Sequence, residues 1–497
     1  MPFHLGKPIL GMAVLSIICG GWLALHRPAP ETGITLWVFD PIQYHDYADI
    51  IHADFKSKTR IDLVPANAMN MRLPVLFMSP DSAHEIPDVV EVPIGSMGLY
   101  LRAPAPEIGF LPLNHFLESS GFREIAALDS PGQRGWNARL SSDGRIYTFD
   151  GKRWIYNSSR QHPDAWIDRI LPSRLVSSTK DGQIFGVPHD VHPVALAFRE
   201  DLFREAGVPL TDDAGRSTAL TWADLQEKCL AFQTYWHAHG FPNRHAIELP
   251  RVNSGMLSIL LAQRRIDLVG ADQSIHIADP KVAQTLAFYV QMVEGKRAIA
   301  GESAPDSALE YKDFSDGNLC ALLMPDWKVN SFRKFAPELA GKMRLIPLPR
   351  FDPSDAPTAS YGGTLICIPR NSPHPDDAWR LIEFLYFSPA GLADRKKLGI
   401  LPPLPEQWAN AEYRQADPYF GGEKSLELYA DLARQVPPTR TTPINAMSLI
   451  MLSYVQSRAV AYLHDKGPAG LETRCQQLLD AAAADLQRRI DHAKFEE

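Results

Sequence analysis

Cysteine is scarce in this sequence, with five residues among 497 and no C-x-x-C pair. Cys229 and Cys475 fall on the apolar faces of helical patterns, whereas Cys320 and Cys367 fall inside strand-like runs. An exported chain could pair such residues, but their wide spacing favours buried thiols over disulfides.

Basic residues are not in excess, since 50 Lys and Arg face 58 Asp and Glu for a formal charge of -8. No arginine-rich stripe occurs, so no nucleic-acid partner is expected. G-x-S-x-G, H-E-x-x-H, P-loop and Rossmann motifs are also missing. We therefore expect neither an enzyme nor a cofactor.

Residues 1–32 differ from the rest of the chain. Ile9 to Leu25 carries no charge and is followed by a proline-rich spacer, which predicts an N-terminal hydrophobic helix acting as a signal peptide or a membrane anchor. Cleavage near Ala24, retention as an anchor and lipidation at Cys19 stay open, although isoleucines precede that cysteine. Each alternative places the folded part in the periplasm or at the extracytoplasmic face of the membrane.

The stretch from Asp181 to Gly207 organises the chain. Ile184 to Val187 and Val194 to Phe198 are short apolar runs that predict strands, the second buried on both faces. Two prolines and three titratable side chains separate them, namely Pro188, His189, Asp190, His192 and Pro193. Such residues do not fit the middle of a central strand. Either the chain passes here between two packed bodies, with the polar residues facing the gap, or an ordinary loop joins two strands of one sheet.

The flanking patterns predict an α/β protein. Strands and helices alternate before Val92, a capping box at Thr221 opens a helical half, and strand-like runs recur at Met343 to Pro347 and Leu365 to Pro369. Asp-Gly pairs predict a hairpin over residues 145–156. Two long helices are predicted at the end, Ala446 to His464 and Pro468 to about Ala493, and we interpret the apolar stripe of the last as core packing.

Several segments together resemble the extracellular solute-binding proteins of carbohydrate ABC importers, family 1, the maltose-binding-like proteins. The segments, in order, are DVVEV at Asp88, GFLPL at Gly109, DGQIFGVPHDVHPVALAFREDLFREAGV at Asp181, LTWADL at Leu220, DGNLCALLMPDW at Asp316, MRLIPLPRF at Met343, YGGTLICIPRNSPHPDDAWRLIEFL at Tyr361 and GILPPLP at Gly399. The resemblance implies a two-lobed periplasmic-binding-protein fold of type II with crossing segments. The N-terminal lobe would comprise residues 33–190 and 364–405, and the C-terminal lobe residues 191–363 and 406–497.

The resemblance also implies a function. A monomer would bind a mono- or oligosaccharide between its lobes and deliver it to the permease subunits of an ABC importer. A sugar sensor that signals to a receptor kinase and an exported hydrolase are the alternatives. The sequence departs from the family in an enlarged segment at about 129–175. It also has Met447, Ser448 and Leu449 where some relatives carry a stacking aromatic residue.

Two candidate ligand-binding residues match family positions. Trp327 ends the DGNLCALLMPDW segment, where relatives carry the tryptophan that stacks on a sugar ring; a core tryptophan is the alternative. Asp190 matches a polar position of the crossing strand, and a structural hinge hydrogen bond is its alternative. His189, which precedes Asp190, is a further candidate ligand-binding residue. Joint metal ligation by His189 and His192 is disfavoured, because side chains three apart on an extended segment point to opposite faces.

The other candidates lie where strands end or the chain crosses back. Phe39 and Asp40 end the first strand, with a turn before Pro41 as the alternative role of Asp40. Glu91 stands at another strand end, as a ligand or a solvated carboxylate. Tyr361 and Gly362 lie where the chain would cross back, and glycine there would let the backbone approach a ligand, unless the segment is a plain turn.

Overall fold

The computed structural model describes residues 33–495 except 56–57, 80–84, 120–137, 141–145, 150–153, 157–164, 214, 219–220 and 271–273. The predicted N-terminal hydrophobic helix, including Cys19, lies outside the described residues, as does much of the segment 129–175. In the ranges described, no helix is both long enough and apolar enough to cross a membrane.

The described strands are short, and most of the longer ones are buried. They are β1 (Ile34–Val38), β2 (Thr59–Leu63), β3 (Val89–Pro93), β4 (Ala138–Leu140), β5 (Ile146–Phe149), β6 (Trp154–Tyr156), β7 (Thr179–Lys180), β8 (Gln183–Ile184), β9 (Val187–Pro188), β10 (Val194–Arg199), β11 (Ile247–Glu248), β12 (Ala300–Gly301), β13 (Ala321–Pro325), β14 (Met343–Ile346) and β15 (Thr364–Cys367).

The described α-helices vary from single turns to 25 residues. They are α1 (Pro41–Asp54), α2 (Ala66–Met78), α3 (Met97–Tyr100), α4 (Asn114–Ser119), α5 (Trp166–Arg169), α6 (Pro172–Leu175), α7 (Glu200–Glu205), α8 (Trp222–Ala238), α9 (Gly255–Gln263), α10 (Pro280–Val293), α11 (Ala308–Asp316), α12 (Asp326–Phe335), α13 (Pro375–Phe387), α14 (Pro389–Lys397), α15 (Ser425–Ala433), α16 (Pro443–Lys466) and α17 (Leu471–Phe495).

Two sheets organise these elements. The first has five strands in the order β2-β1-β3-β15-β9, with β1 parallel to β2 and β3, and β15 antiparallel to β3 and β9. The second has three strands, β13-β10-β14, with β10 antiparallel to both neighbours. Strands and helices alternate in the described residues from Ile34 to Tyr100, as the sequence predicts, and the fold is α/β.

Each sheet is buried on both faces. In β1, Leu36 and Val38 pack into one apolar cluster while Trp37 points into another. In β10, Leu196 and Phe198 pack on one side and Ala197 on the other. Because successive side chains of a strand point to opposite faces of the sheet, each sheet packs against two apolar clusters, one on each face.

The chain passes from one sheet to the other at the predicted break. The strand β9 ends at Pro188 in the five-stranded sheet, and β10 begins at Val194 in the three-stranded sheet. The chain returns between β14 and β15. The alternative of a loop joining two strands of one sheet is therefore wrong.

Several local predictions are confirmed. Thr221 forms the capping box with Asp224, each bonding the other's backbone N–H. The strands predicted for the hairpin over 145–156 are present as the antiparallel pair β5 and β6, and the residues between them lie outside the described ranges. Cys229, Cys320, Cys367 and Cys475 are buried free thiols.

Candidate functional site

The carboxylate of Asp190 is the centre of a buried polar network. Its Oδ1 lies 3.1 Å from Arg174 Nη2, and its Oδ2 lies 3.2 Å from His189 Nδ1 and 3.1 Å from His192 Nε2. The backbone N–H of Thr364 donates to the same Oδ2 at 3.1 Å. Asp190 lies where the chain leaves the first sheet, and Thr364 begins β15, where the chain returns to it. The Asp190 carboxylate therefore joins the two segments that pass between the sheets.

This burial differs from the sequence expectation. We expected the polar residues of the break to face the gap, but every residue from Pro188 to Pro193 is buried. The physical reason is internal charge compensation, since the Arg174 guanidinium replaces the solvent that Asp190 loses. Both oxygens of the Asp190 carboxylate are thus bonded within the protein.

His192 extends the network to the second sheet. Its Nδ1 lies 2.6 Å from Asp326 Oδ1, and Asp326 Oδ2 accepts from the Leu401 N–H at 3.0 Å. Burial lowers the pKa of His192, but the carboxylates of Asp190 and Asp326 outweigh burial and raise the pKa to about 10. His192 is thus an imidazolium at neutral pH, held between two carboxylates.

The two histidines do not point to opposite faces, which corrects the sequence argument about metal ligation. His192 has φ 52, so the segment is bent rather than extended, and both imidazoles contact Asp190 Oδ2. Burial, followed by the Arg395 charge, lowers the pKa of His189 to about 4, so it is neutral. In the described part of the chain, no three or more His, Cys, Asp or Glu side chains are grouped so that they could hold a metal ion.

Glu91 is buried inside the first sheet rather than exposed at a strand end. Its Oε1 accepts hydrogen bonds from the hydroxyls of Tyr47 at 2.7 Å and Tyr386 at 2.8 Å. Burial raises its pKa to about 7, against the lowering effect of the two hydroxyls. Glu91 therefore holds α1 and α13 against the sheet.

Phe39 and Asp40 also have local roles. Asp40 accepts from the Ile42 N–H at 2.7 Å and caps α1, whose first residue is Pro41. Phe39 is half-buried and packs against an apolar cluster of the first sheet. The turn role that the sequence allowed for Asp40 is the one that the geometry supports.

A cavity of about 410 Å³ lies between the two sheets, and we call it the cleft cavity. Ile94 and Gly95, after β3, line it on the side of the first sheet. The starts of α9 and α16 line it on the side of the second sheet, and Ser360 to Gly362 line it where the chain returns. The complete lining is Ile94, Gly95, Arg174, Ser177, Asn253, Ser254, Gly255, Ser258, Ser360, Tyr361, Gly362, Thr439, Arg440, Thr441, Thr442, Asn445, Ala446, Leu449, Ile450 and Ser453.

Tyr361 and Gly362 are the two sequence candidates that line the cleft cavity. Gly362 has φ 84, in the region that favours glycine. Trp327 is half-buried directly behind them: its Nε1 donates to the Tyr361 carbonyl at 3.3 Å. A Cβ on Gly362 would lie 3.6 Å from the same nitrogen. The other sequence candidates are not among the lining residues, namely Trp327, Phe39, Asp40, Glu91, His189 and Asp190.

Sequence reasoning missed most of the cavity wall. Residues 253–258 and 439–453 reach it because α9 and α16 both begin there. Thr442 followed by Pro443 is a helix-start signal, and Thr442 Oγ1 does accept from the Asn445 N–H at 3.1 Å. That signal locates a helix terminus but not the cavity beside it. Thr441 Oγ1 donates to the Ser177 carbonyl and so connects the two sides.

A second cavity of about 500 Å³ is larger, but its lining comes from residues 33–61 alone. It lies at one edge of the first sheet, between α1 and β2. The cleft cavity is the better candidate because segments far apart in the chain converge on it.

Comparisons with known proteins agree with this architecture. Residues 134–420 match the family model described as bacterial extracellular solute-binding protein. The chain is 23% identical over 285 residues to an arabinooligosaccharide-binding protein of Halalkalibacterium halodurans, a match covering 55% of this chain and 60% of that protein. The chain thus spans about 60% of the length of this curated relative.

Solved structures show the fold over nearly the whole chain. The sugar-binding protein MalE of Xanthomonas citri has a TM-score of 0.65 at 18% identity, covering 94% of this chain and 100% of that one. An ABC transporter associated binding protein of B. animalis subsp. lactis, solved with beta-1,6-galactobiose, has a TM-score of 0.61 at 18% identity, covering 93% of this chain and 98% of that one. At such identities the similarity establishes the two-lobed α/β fold and no ligand.

Proposed function

Because its match to the family model covers more than half of its residues, the chain belongs to the bacterial extracellular solute-binding proteins, and we propose that it is the sugar-binding component of an ABC transporter. The cleft cavity carries this proposal. Its walls come from both sheets and from the returning segment, so a solute held there would contact both bodies. Closure of two bodies on a solute is an established kind of hinge motion.

We propose a lobe division at the passages between the sheets. Residues 33–190 and 364–405 form one lobe, and residues 191–363 and 406–497 form the other. The network of Asp190, His192 and Asp326 supports this division, because it joins the crossing residues to Thr364 and Leu401. We assign this network, together with His189, to the hinge and not to the ligand.

The ligand would lie against Tyr361 and Gly362, with Trp327 supporting them. Trp327 does not line the cleft cavity, and we propose that it affects the ligand through Gly362, which its ring adjoins. Glu91, Asp40 and Phe39 receive structural roles within the first lobe.

The remaining parts of the proposal follow the family. The monomer would act outside the cytoplasmic membrane and deliver its ligand to membrane permease subunits. Residues 1–32 would serve for export or as an anchor. The relative from Halalkalibacterium is named for arabinooligosaccharides, which supports an oligosaccharide ligand.

Thermal unfolding in the presence of a panel of mono- and oligosaccharides tests the proposal. A sugar at 100 times its Kd should add about 2.7 kcal/mol to the stability of the folded state and raise Tm. Tyr361→Ala should lose this shift, whereas the matched variant Tyr235→Ala should keep it, since Tyr235 is also half-buried but lies outside the cleft cavity.

The same sugars distinguish binding from hydrolysis. A binding protein returns its ligand intact after incubation, and released reducing ends would favour the hydrolase. No Tm shift with any sugar of the panel would contradict the proposed function.

A further inference from the structure

The helix α16 presents aliphatic side chains to the cleft cavity. Leu449 and Ile450 line the cavity and keep 37% and 72% of their surface exposed. Ile94 lies in the wall contributed by the first sheet. Neither Leu449 nor Ile450 belongs to an apolar cluster, so the exposed surface of these side chains is not used for packing within the protein. Aliphatic surface is therefore available to a ligand from both lobes.

The polar groups of the same wall are mostly committed within the protein. All five serines that line the cavity have an acceptor within the protein for the hydroxyl hydrogen. The acceptors are the carbonyls of Arg174 for Ser177 at 3.0 Å, Gly255 for Ser258 at 2.6 Å and Val191 for Ser360 at 2.7 Å. Ser254 and Ser453 lie 3.1 Å and 3.2 Å from the Leu449 carbonyl and their hydroxyl oxygens lie 2.7 Å apart, so one of these two hydroxyls donates to the other. These hydroxyls can still accept a hydrogen bond, but their hydrogens are not available to a ligand oxygen.

Some of the charged and amide groups of the wall are also bonded within the protein. The Arg174 guanidinium already contacts Asp190 and Ser360. Asn253 Oδ1 accepts from the Gly255 N–H at 2.7 Å, and Asn445 Nδ2 donates to the Arg440 carbonyl. No carboxylate occurs among the lining residues, within the part of the chain that the structure describes. Arg440 and Tyr361 also line the cavity, and within the described residues the Arg440 guanidinium and the Tyr361 hydroxyl have no hydrogen-bond partner, so these two groups remain for the ring hydroxyls of a ligand.

On the basis of the sugar-binding function proposed above, we propose that the cleft cavity selects a 6-deoxy sugar unit whose methyl group faces Leu449 and Ile450. A methyl group gains from contact with aliphatic side chains. A hydroxymethyl group at the same place would set its hydroxyl against Leu449 and Ile450, and neither side chain can replace a hydrogen bond to water. Selectivity would thus come from the missing hydroxyl.

Isothermal titration of the full chain with matched sugar pairs tests this inference. The pairs are L-fucose with L-galactose, L-rhamnose with L-mannose and D-fucose with D-galactose, each as free sugar, as methyl glycoside and as the terminal unit of a disaccharide. Members of a pair differ by one oxygen atom. For the pair that binds, the deoxy sugar should bind about 10-fold to 100-fold more tightly.

Substitutions locate the effect in the cavity. Ile450→Asn and Leu449→Thr should each bring the ratio within a pair closer to one, because they replace the aliphatic surface with polar groups. Val75→Asn is the matched control: Val75 is also an exposed aliphatic residue of a helix, at 61%, but lies outside the cavity, so the ratio should not change. Urea unfolding of each variant confirms that it is folded.

The outcomes separate this inference from the proposed function. If the fully hydroxylated member of a pair, or an oligosaccharide without deoxy units, binds as tightly or more tightly, the selectivity is overturned and sugar binding stands. If the preference is observed but Ile450→Asn and Leu449→Thr leave it intact, the assignment to α16 is overturned. If no sugar of either kind binds, the proposed function fails and the selectivity fails with it.

Discussion

The His192 imidazolium should make the stability of this protein depend on pH. In the folded state the carboxylates of Asp190 and Asp326 overcome the effect of burial and raise the pKa of His192 to about 10, against an ordinary value of 6.5. A raised pKa contributes stability that is fully present below pH 6.5 and is lost as the pH rises through about 10. Between these values the folded chain holds a proton that the unfolded chain has released.

The size of the effect follows from this difference of one proton. The unfolding free energy falls by about 1.4 kcal/mol per pH unit for each proton held only by the folded state, so His192 accounts for about 2–3 kcal/mol between about pH 7 and about pH 9. Urea unfolding at both pH values measures this loss. In His192→Gln the loss should be smaller by that amount, because glutamine does not titrate.

His189→Gln is the control for this prediction. His189 contacts the same carboxylate oxygen, but its pKa of about 4 leaves it neutral throughout the range. Its substitution should lower the unfolding free energy without changing the pH dependence. An equal pH dependence in wild type and His192→Gln would refute the assignment of the proton to His192.

Three further variants test other parts of the structure. Trp327→Ala should weaken sugar binding by about 1–3 kcal/mol in titration calorimetry, and unchanged affinity would remove Trp327 from the site. Burial raises the pKa of Glu91 from 4.5 to about 7, so its ionisation should cost stability as the pH rises between these values. In urea unfolding Glu91→Gln should make the loss over this range smaller, because glutamine does not titrate, and an equal loss in wild type and variant would refute the assignment of the proton to Glu91. Thr442→Ala removes the side-chain cap of α16 and should lower the unfolding free energy by about 1 kcal/mol, whereas no change would show that the cap contributes nothing.

Local signals in the sequence were sufficient for much of the fold. The apolar run from Val194 to Phe198 predicted a strand buried on both faces, and the pair Thr221 and Asp224 predicted a helix start, because each depends on neighbours within a few residues. The prolines around Asp190 indicated a passage between two bodies, because a proline interrupts a strand whatever lies elsewhere in the chain. The resemblance to a family rested on the order of such segments.

The burial of the candidate residues could not be predicted in this way. Whether Asp190 faces a ligand or a hinge depends on Arg174, 16 residues earlier, and on Thr364, 174 residues later. Likewise, Glu91 is buried because Tyr386, 295 residues away, supplies a hydroxyl. The pattern at each position is compatible with both roles until these partners are known.

The sequence by itself determined the alternation of strands and helices, the helix starts and the point where the chain leaves the first sheet. Each of these features depends on the spacing of apolar residues or on residues with restricted backbone geometry. Both act only over a few neighbouring residues. Only the tertiary structure decided which polar groups neutralise one another and which remain for a ligand. Charge compensation and cavity walls depend on distances in space, and α9, α16 and the segment 360–362 meet at the cleft cavity only after both sheets have formed.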